Sequence, residues 1–116
     1  MFLRLGCLVL WLAVCAGFSG CTPVPELPQD EQKNPYYRTA KERLQRRDFQ
    51  GAIEAFDKAI QLNPNAVMAH FELALVYQQH EFDYASAIYH YNKVLKLRPT
   101  GHPADNARVG IRICKQ

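Results

Sequence analysis

Between residues 35 and 115 the apolar positions recur at three- and four-residue steps, the spacing that gathers them on one face of a helix. Over 49–62 they are Ala52, Phe56, Ala59, Ile60 and Leu62; over 84–97 they are Ala87, Tyr91, Val94, Leu95 and Leu97. Leu73, Ala74 and Tyr77 mark a helix before the second of these. The punctuation agrees. Asn34-Pro35 reads as a cap with proline in the first turn. Asp48 and Asp83 each precede a helix start, and Asn63-Pro64 and Arg98-Pro99 each close one. The pattern predicts helices over 35–46, 49–62, 66–80 and 84–97, and a last one over about 103–115. In that last segment Ala104, Ala107, Ile111 and Cys114 form the apolar stripe, which suits a capping helix with its other face in water.

The pattern also repeats. Ala52, Ile53, Phe56, Lys58, Ala59, Ile60, Leu62 and Pro64 align with Ala87, Ile88, Tyr91, Lys93, Val94, Leu95, Leu97 and Pro99 at an offset of 35. The upstream halves align at 34, Tyr36 with His70 and Ala40 with Ala74, so the second copy carries one inserted residue between about Gln78 and Tyr84. Self-similarity at this period is the signature of a repeat architecture.

These residues resemble the tetratricopeptide repeat family, helix-turn-helix units of about 34 residues. Leu73, Ala74, Tyr77, Ala87, Tyr91, Val94 and Pro99 stand at the family's pattern positions in the second copy, and Tyr36, Ala40, Ala52, Phe56, Ala59 and Pro64 in the first. Thr39, Arg43 and His70 depart from it. The resemblance implies an all-α fold: a short right-handed α-solenoid of two units, about 35–66 and 67–99, plus the capping helix. It also implies a binding groove lined by the first helix of each unit. By matched position that groove takes Asn34, Tyr37, Lys41 and Leu44 from the first copy, and Met68, Phe71, Leu75 and Gln78 from the second. The alternative for Phe71 and Leu75 is packing against a neighbouring unit or the cap. The small residues Ala40, Ala52, Ala74 and Ala87 let paired helices approach to roughly 8–10 Å. Gly110 suggests either a close backbone approach or a weak last element.

Upstream, residues 1–21 carry one early cation, Arg4, continue as an uncharged apolar run from Leu5 to Phe18, and end Ser19-Gly20-Cys21. A 14-residue helix rises about 21 Å, short for a hydrocarbon core about 30 Å thick, and has the size of a signal-peptide apolar region. The small residues before Cys21 make the segment similar to a bacterial lipoprotein signal, in which residues 1–20 are removed and Cys21 is acylated. An ordinary secretory signal or an uncleaved anchor are the alternatives. Acylation at Cys21 would remove Cys7 and Cys15 with the signal and leave Cys114 as a lone thiol. Residues 22–34, with three prolines, read as an extended tether free of helix, able to span about 40 Å at about 3.1 Å per residue. The domain plan is therefore signal 1–20, lipidated cysteine and tether 21–34, and repeat domain 35–116.

Charge and chemistry narrow the function classes. Fourteen Lys and Arg stand against eleven Asp and Glu, interleaved, which gives no footprint for nucleic acid. The chain contains no nucleophile elbow, phosphate loop or dinucleotide fingerprint. His70, His80, His90 and His102 are spaced by ten and twelve, which puts no two on one face of one helix, so no metal or other cofactor is expected. Glu42, Glu54 and Glu72 read as solvated helix faces, and Arg43, Arg46 and Arg47 as cations favoured at a helix C-terminus.

The expectation is a non-enzymatic, membrane-anchored adaptor of the bacterial cell envelope. Its partner is another envelope protein or a peptide segment of one. Thr22 in place of the aspartate that retains lipoproteins at the inner membrane favours the outer membrane where the host has two. The alternative is a structural subunit, a homo-oligomer that associates through its groove. A small-ligand or metal carrier using His70, His80 and Cys114 is a third reading.

Overall fold

The computed structural model describes residues 29–116. The expected signal, the expected lipidation site Cys21 and most of the expected tether lie outside the described residues. Those described form six α-helices and one π-helical turn, with no strand among them. The helices are α1 (Gln29–Lys33), α2 (Pro35–Gln45), α3 (Phe49–Leu62), α4 (Val67–Val76), α5 (Tyr84–Leu97) and α6 (Ala104–Cys114), with the π-helical turn at Tyr77–Glu81.

The predicted caps are in place. Asn34 Oδ1 accepts from the Tyr36 and Tyr37 amides at the start of α2, at 2.9 and 3.3 Å. Asp48 Oδ1 accepts from Gly51 N at 3.0 Å, and Asp83 Oδ1 accepts from Ser86 N at 3.0 Å. Each carboxylate meets amides that the helix itself leaves unpartnered. Asp83 also accepts from the Ser86 hydroxyl at 2.6 Å, and these bonds hold its carboxyl below the usual carboxylate range. Asp83→Ala is expected to lower the urea midpoint through loss of the cap, with Asp83→Asn losing less.

Successive helices pair, α2 with α3 and α4 with α5, and α6 lies on α5. Ala40, Ala52, Ala74 and Ala87 are completely buried, which is what close helix pairing requires of those positions. One core joins α2, α3 and a face of α4 around Phe56, whose ring meets Tyr37 edge-on at 5.7 Å. The other joins α4, α5 and α6 around Tyr91 and Val94. Both aromatics are fully buried. Burying one such side chain contributes about 1.5–3 kcal/mol. Gly110 is a close approach rather than a weakness, because a Cβ there would run into the Tyr91 ring.

Two segments differ from the sequence expectation. The tether is helical at its end: the proline-free run Gln29–Lys33 forms α1, with Asp30 and Glu31 in the first turn and Lys33 in the last, charges placed as a helix dipole favours. The helix predicted over 66–80 keeps α geometry only to Val76, and the residue inserted in the second copy shows why. In the first copy Asp48 N donates to Arg43 O, five residues back, at 2.9 Å; in the second Asp83 N donates to Tyr77 O, six back, at 3.0 Å. The extra residue is absorbed as the π-helical turn, so the cap that follows keeps its register. Arg47 and Phe82, equivalent in the two copies, both take a left-handed backbone, with φ of 60° and 54°. Phe82 is two-thirds exposed there.

Candidate partner-binding site

The first helices of the two units, α2 and α4, are bridged by Lys41, whose Nζ donates to Glu72 Oε1 at 2.6 Å. Glu72 is therefore not a solvated carboxylate, as its place on the helix suggested, but half-buried and paired. Surface-type ion pairs contribute little, about 0–1 kcal/mol, so the pair sets register more than stability.

The structure divides the expected groove residues into two groups. Tyr37 and Phe71 are buried, at 8 % and 7 % exposure, and belong to the two cores. Burial pushes the Tyr37 phenol well up, helped by Glu72 and Glu31, so it stays a donor. Phe71 packs against Tyr91 and His102, with ring centres 6.0 and 5.9 Å away. It takes the alternative foreseen for it, contact with the neighbouring helix and the segment before the cap. Leu44 and Met68 are half-buried and packed against core. Asn34 spends its side chain on capping α2.

Leu75 and Gln78 remain half-buried at the surface. Together with Phe71, Asn106, Val109 and Ile113 they line a cavity of about 320 Å³ between α4 and α6, with Tyr91 and Gly110 behind it. Tyr91 donates its hydroxyl to Gln78 Oε1 at 2.6 Å. Burial and the neighbouring Cys114 push that phenol up to about 12, so it is protonated at neutral pH and fixes the Gln78 amide. Burial also raises the Cys114 thiol, leaving it a packing group more than a nucleophile.

Sequence reasoning missed Val109 and Ile113, which are 44 % and 50 % exposed. They sit four apart, off the stripe that packs on α5, and that spacing was the available signal. The site is therefore an apolar strip with amide ends. It suits an amphipathic helix or an extended segment with one large apolar side chain.

The histidines also sit differently from what their spacing suggested. His70 on α4 and His90 on α5 meet across the pair, Nδ1 to Nδ1 at 3.0 Å. His70 Nε2 lies 3.1 Å from Pro64 O, which can only accept. Nε2 of His70 therefore carries its proton, its Nδ1 accepts, and His90 Nδ1 donates. Tyr77 stacks on His90 with ring centres 5.8 Å apart. Burial, His70 and Lys93 depress His90 to about 4; burial and Lys93 lower His70 against the Pro64 bond. The pair is neutral at pH 7. Among the described residues no three His, Cys, Asp or Glu side chains gather where they could hold a metal ion. His80, stacked on Phe49 at 3.7 Å, stands apart from the pair.

Arg43 reaches Asp48 at 3.4 Å, while Arg46 and Arg47 are exposed at the end of α2. No described helix is long and apolar enough to cross a membrane.

A family model described as tetratricopeptide repeat matches residues 37–102, the two helix pairs and the turn that follows them. A comparison with curated proteins gives no match.

Proposed function

From the chain's membership of the tetratricopeptide repeat family, whose repeats generally mediate protein–protein interaction, we propose that it is a membrane-anchored adaptor of the bacterial cell envelope. Lipid on Cys21 holds it at a membrane, the outer one where there are two, and the strip between α4 and α6 recruits a segment of another envelope protein. The observation that carries the reading is the cavity lined by Leu75, Gln78, Val109 and Ile113, in which Val109 and Ile113 of α6 stay exposed beside the half-buried Leu75 of α4 and an oriented amide. Members of this family are typically interaction modules without catalysis. Two acyl chains would make the anchoring stable, at about 0.8 kcal/mol per buried methylene.

The full chain, expressed in a bacterium with a photo-crosslinking residue at position 113, tests the groove. One specific adduct is expected, lost on Leu75→Arg, with the helical spectrum retained. Leu75 is the better probe because Phe71 is core. Adducts unchanged by Leu75→Arg would overturn the groove assignment. Labelled fatty acid should enter the wild type and not Cys21→Ser, and incorporation into both would sink the anchor.

A second surface favours self-association. Leu95, Val109 and Ile111, with Asp105, Arg108 and Arg112, surround an open depression of about 600 Å³ on the outer side of α5 and α6, where a further unit of a solenoid would stack. A mass that rises with concentration, and is reset by Arg112→Glu with the helical spectrum retained, would establish that reading in place of the first.

A further inference from the structure

Unlike α2, α3 and α5, helix α4 has an alanine, Ala66, at its N-cap, which offers no side chain to its first amides. A residue far away in the chain supplies one. Glu31 of α1 accepts from Met68 N at 2.9 Å and from Ala69 N at 3.0 Å through Oε2. An anion at a helix N-terminus meets both free N–H groups and the positive end of the helix dipole.

The fit is incomplete. Glu31 is only 3 % exposed, yet its Oε1 is buried with no hydrogen-bond partner. Burial pushes the carboxyl up, while the amide bonds and Arg98 pull it down. Asp30, Gln32 and Lys33 of α1 are exposed, while Glu31 is buried against the domain. One buried carboxylate pins a five-residue helix to the domain. The place it occupies adjoins the expected groove: Met68 is one of the groove residues, and Tyr37 is close enough for both Glu31 and Glu72 to raise its phenol.

We propose that the first turn of α4 is a carboxylate subsite of the binding groove, that α1 fills it in cis as a strap, and that an acidic partner segment binds there by displacing Glu31. The occupant it takes is a short peptide with a glutamate flanked by polar residues, the chemistry that α1 itself displays. The inference deepens the adaptor reading by assigning the partner an acidic anchor, and it links the tether to the groove. A pull on the segment before Gln29 withdraws the competitor.

The probe is a synthetic peptide of residues 24–34, added to the ¹⁵N-labelled full chain while the Met68 and Ala69 amide resonances are followed. With Glu31→Ala in the chain, the peptide should shift both amides saturably. The unaltered chain should bind it at least about tenfold more weakly, because its own carboxylate competes at high effective concentration. A peptide carrying Glu31→Gln should lose about tenfold on the variant chain, since a charged acceptor is roughly twice as strong as a neutral one.

Silence of both amides in the Glu31→Ala chain would overturn the proposal. So would equal binding to the two chains, or equal binding of the two peptides. Where circular dichroism shows the Glu31→Ala chain unfolded, Glu31→Gln in the chain keeps the volume and an acceptor and takes the same titration, and the same results support or overturn the strap. The crosslink at position 113 reads the cavity between α4 and α6. A peptide that binds while that adduct is absent leaves the strap standing without the adaptor; the converse leaves the adaptor without the strap.

Discussion

Tyr91→Ala should destabilise the domain by about 3–5 kcal/mol, the range for emptying a buried aromatic site. For about 80 residues a total stability of about 4–12 kcal/mol is ordinary, so the variant should be largely unfolded at 37 °C or held at its margin. The reason is placement. Tyr91 is 1 % exposed, packs on Phe71, and fills the space that Gly110 leaves for it on α6. Its removal loosens α4, α5 and α6 together. Tyr91→Phe keeps the ring and loses only the bond to Gln78, a change of about 1 kcal/mol. Chemical denaturation of both variants checks this. A loss under about 2 kcal/mol for the alanine variant would mean that the second core closes over the gap and that α6 is not held by this ring.

Acid should weaken the fold in a window set by the histidine pair. The folded-state values of His90, about 4, and of His70 both lie below that of free imidazole at 6.5. Between those limits the unfolded chain binds protons that the native chain refuses, so stability falls as pH falls from 6.5 towards 4 and levels off below. For His90 the shift corresponds to about 2 kcal/mol, once solvent screening of a partly exposed ring is allowed for. The geometry sets a second limit. His90 can take one proton at Nε2 and still donate through Nδ1, but a proton on His70 Nδ1 turns two N–H groups toward each other and breaks the 3.0 Å contact.

Glu31 and Asp57, raised by burial from 4.5 and 3.8, act with the opposite sign above those respective values, so the informative quantity is a difference between chains. His90→Asn keeps a donor toward His70 Nδ1 and removes the titrating ring. It should flatten the pH dependence of the denaturation midpoint between pH 6.5 and 4. A slope unchanged in that variant would show that the pair does not carry the acid response.

The histidines mark where sequence reading stops. Their spacings of ten and twelve exclude a shared helix face, and that holds. What joins His70 to His90 is the side-by-side packing of α4 and α5, with Pro64 O fixing the tautomer from the preceding turn. A one-dimensional spacing rule does not see across two helices. Glu72 follows the same logic, since its partner Lys41 is 31 residues away.

Among the expected groove residues, Tyr37 and Phe71 stand at positions the repeat pattern assigns to the groove, yet the packing of α3, α5 and the segment before α6 buries them. Val109 and Ile113 escape notice for the opposite reason. A stripe chosen for its fit to one neighbour leaves a second apolar pair to be discovered by the neighbour on the other side, α4.

Periodicity and local chemistry alone determine helices α2, α3, α5 and α6 and the body of α4, the duplicated unit, the caps at Asn34, Asp48 and Asp83, the four alanines at close contacts and the inserted residue of the second copy. All of these arise from interactions within a few residues, or from a pattern copied along the chain. Only the tertiary structure decides that the insertion becomes a π-helical turn, that Glu31 caps a helix begun 36 residues later, and that His70 meets His90. It also decides which groove side chains stay open to a partner. Each of these depends on where separate helices come to rest against one another. A buried carboxylate and a paired imidazole are stable only when a distant backbone or ring supplies the partner that water no longer does.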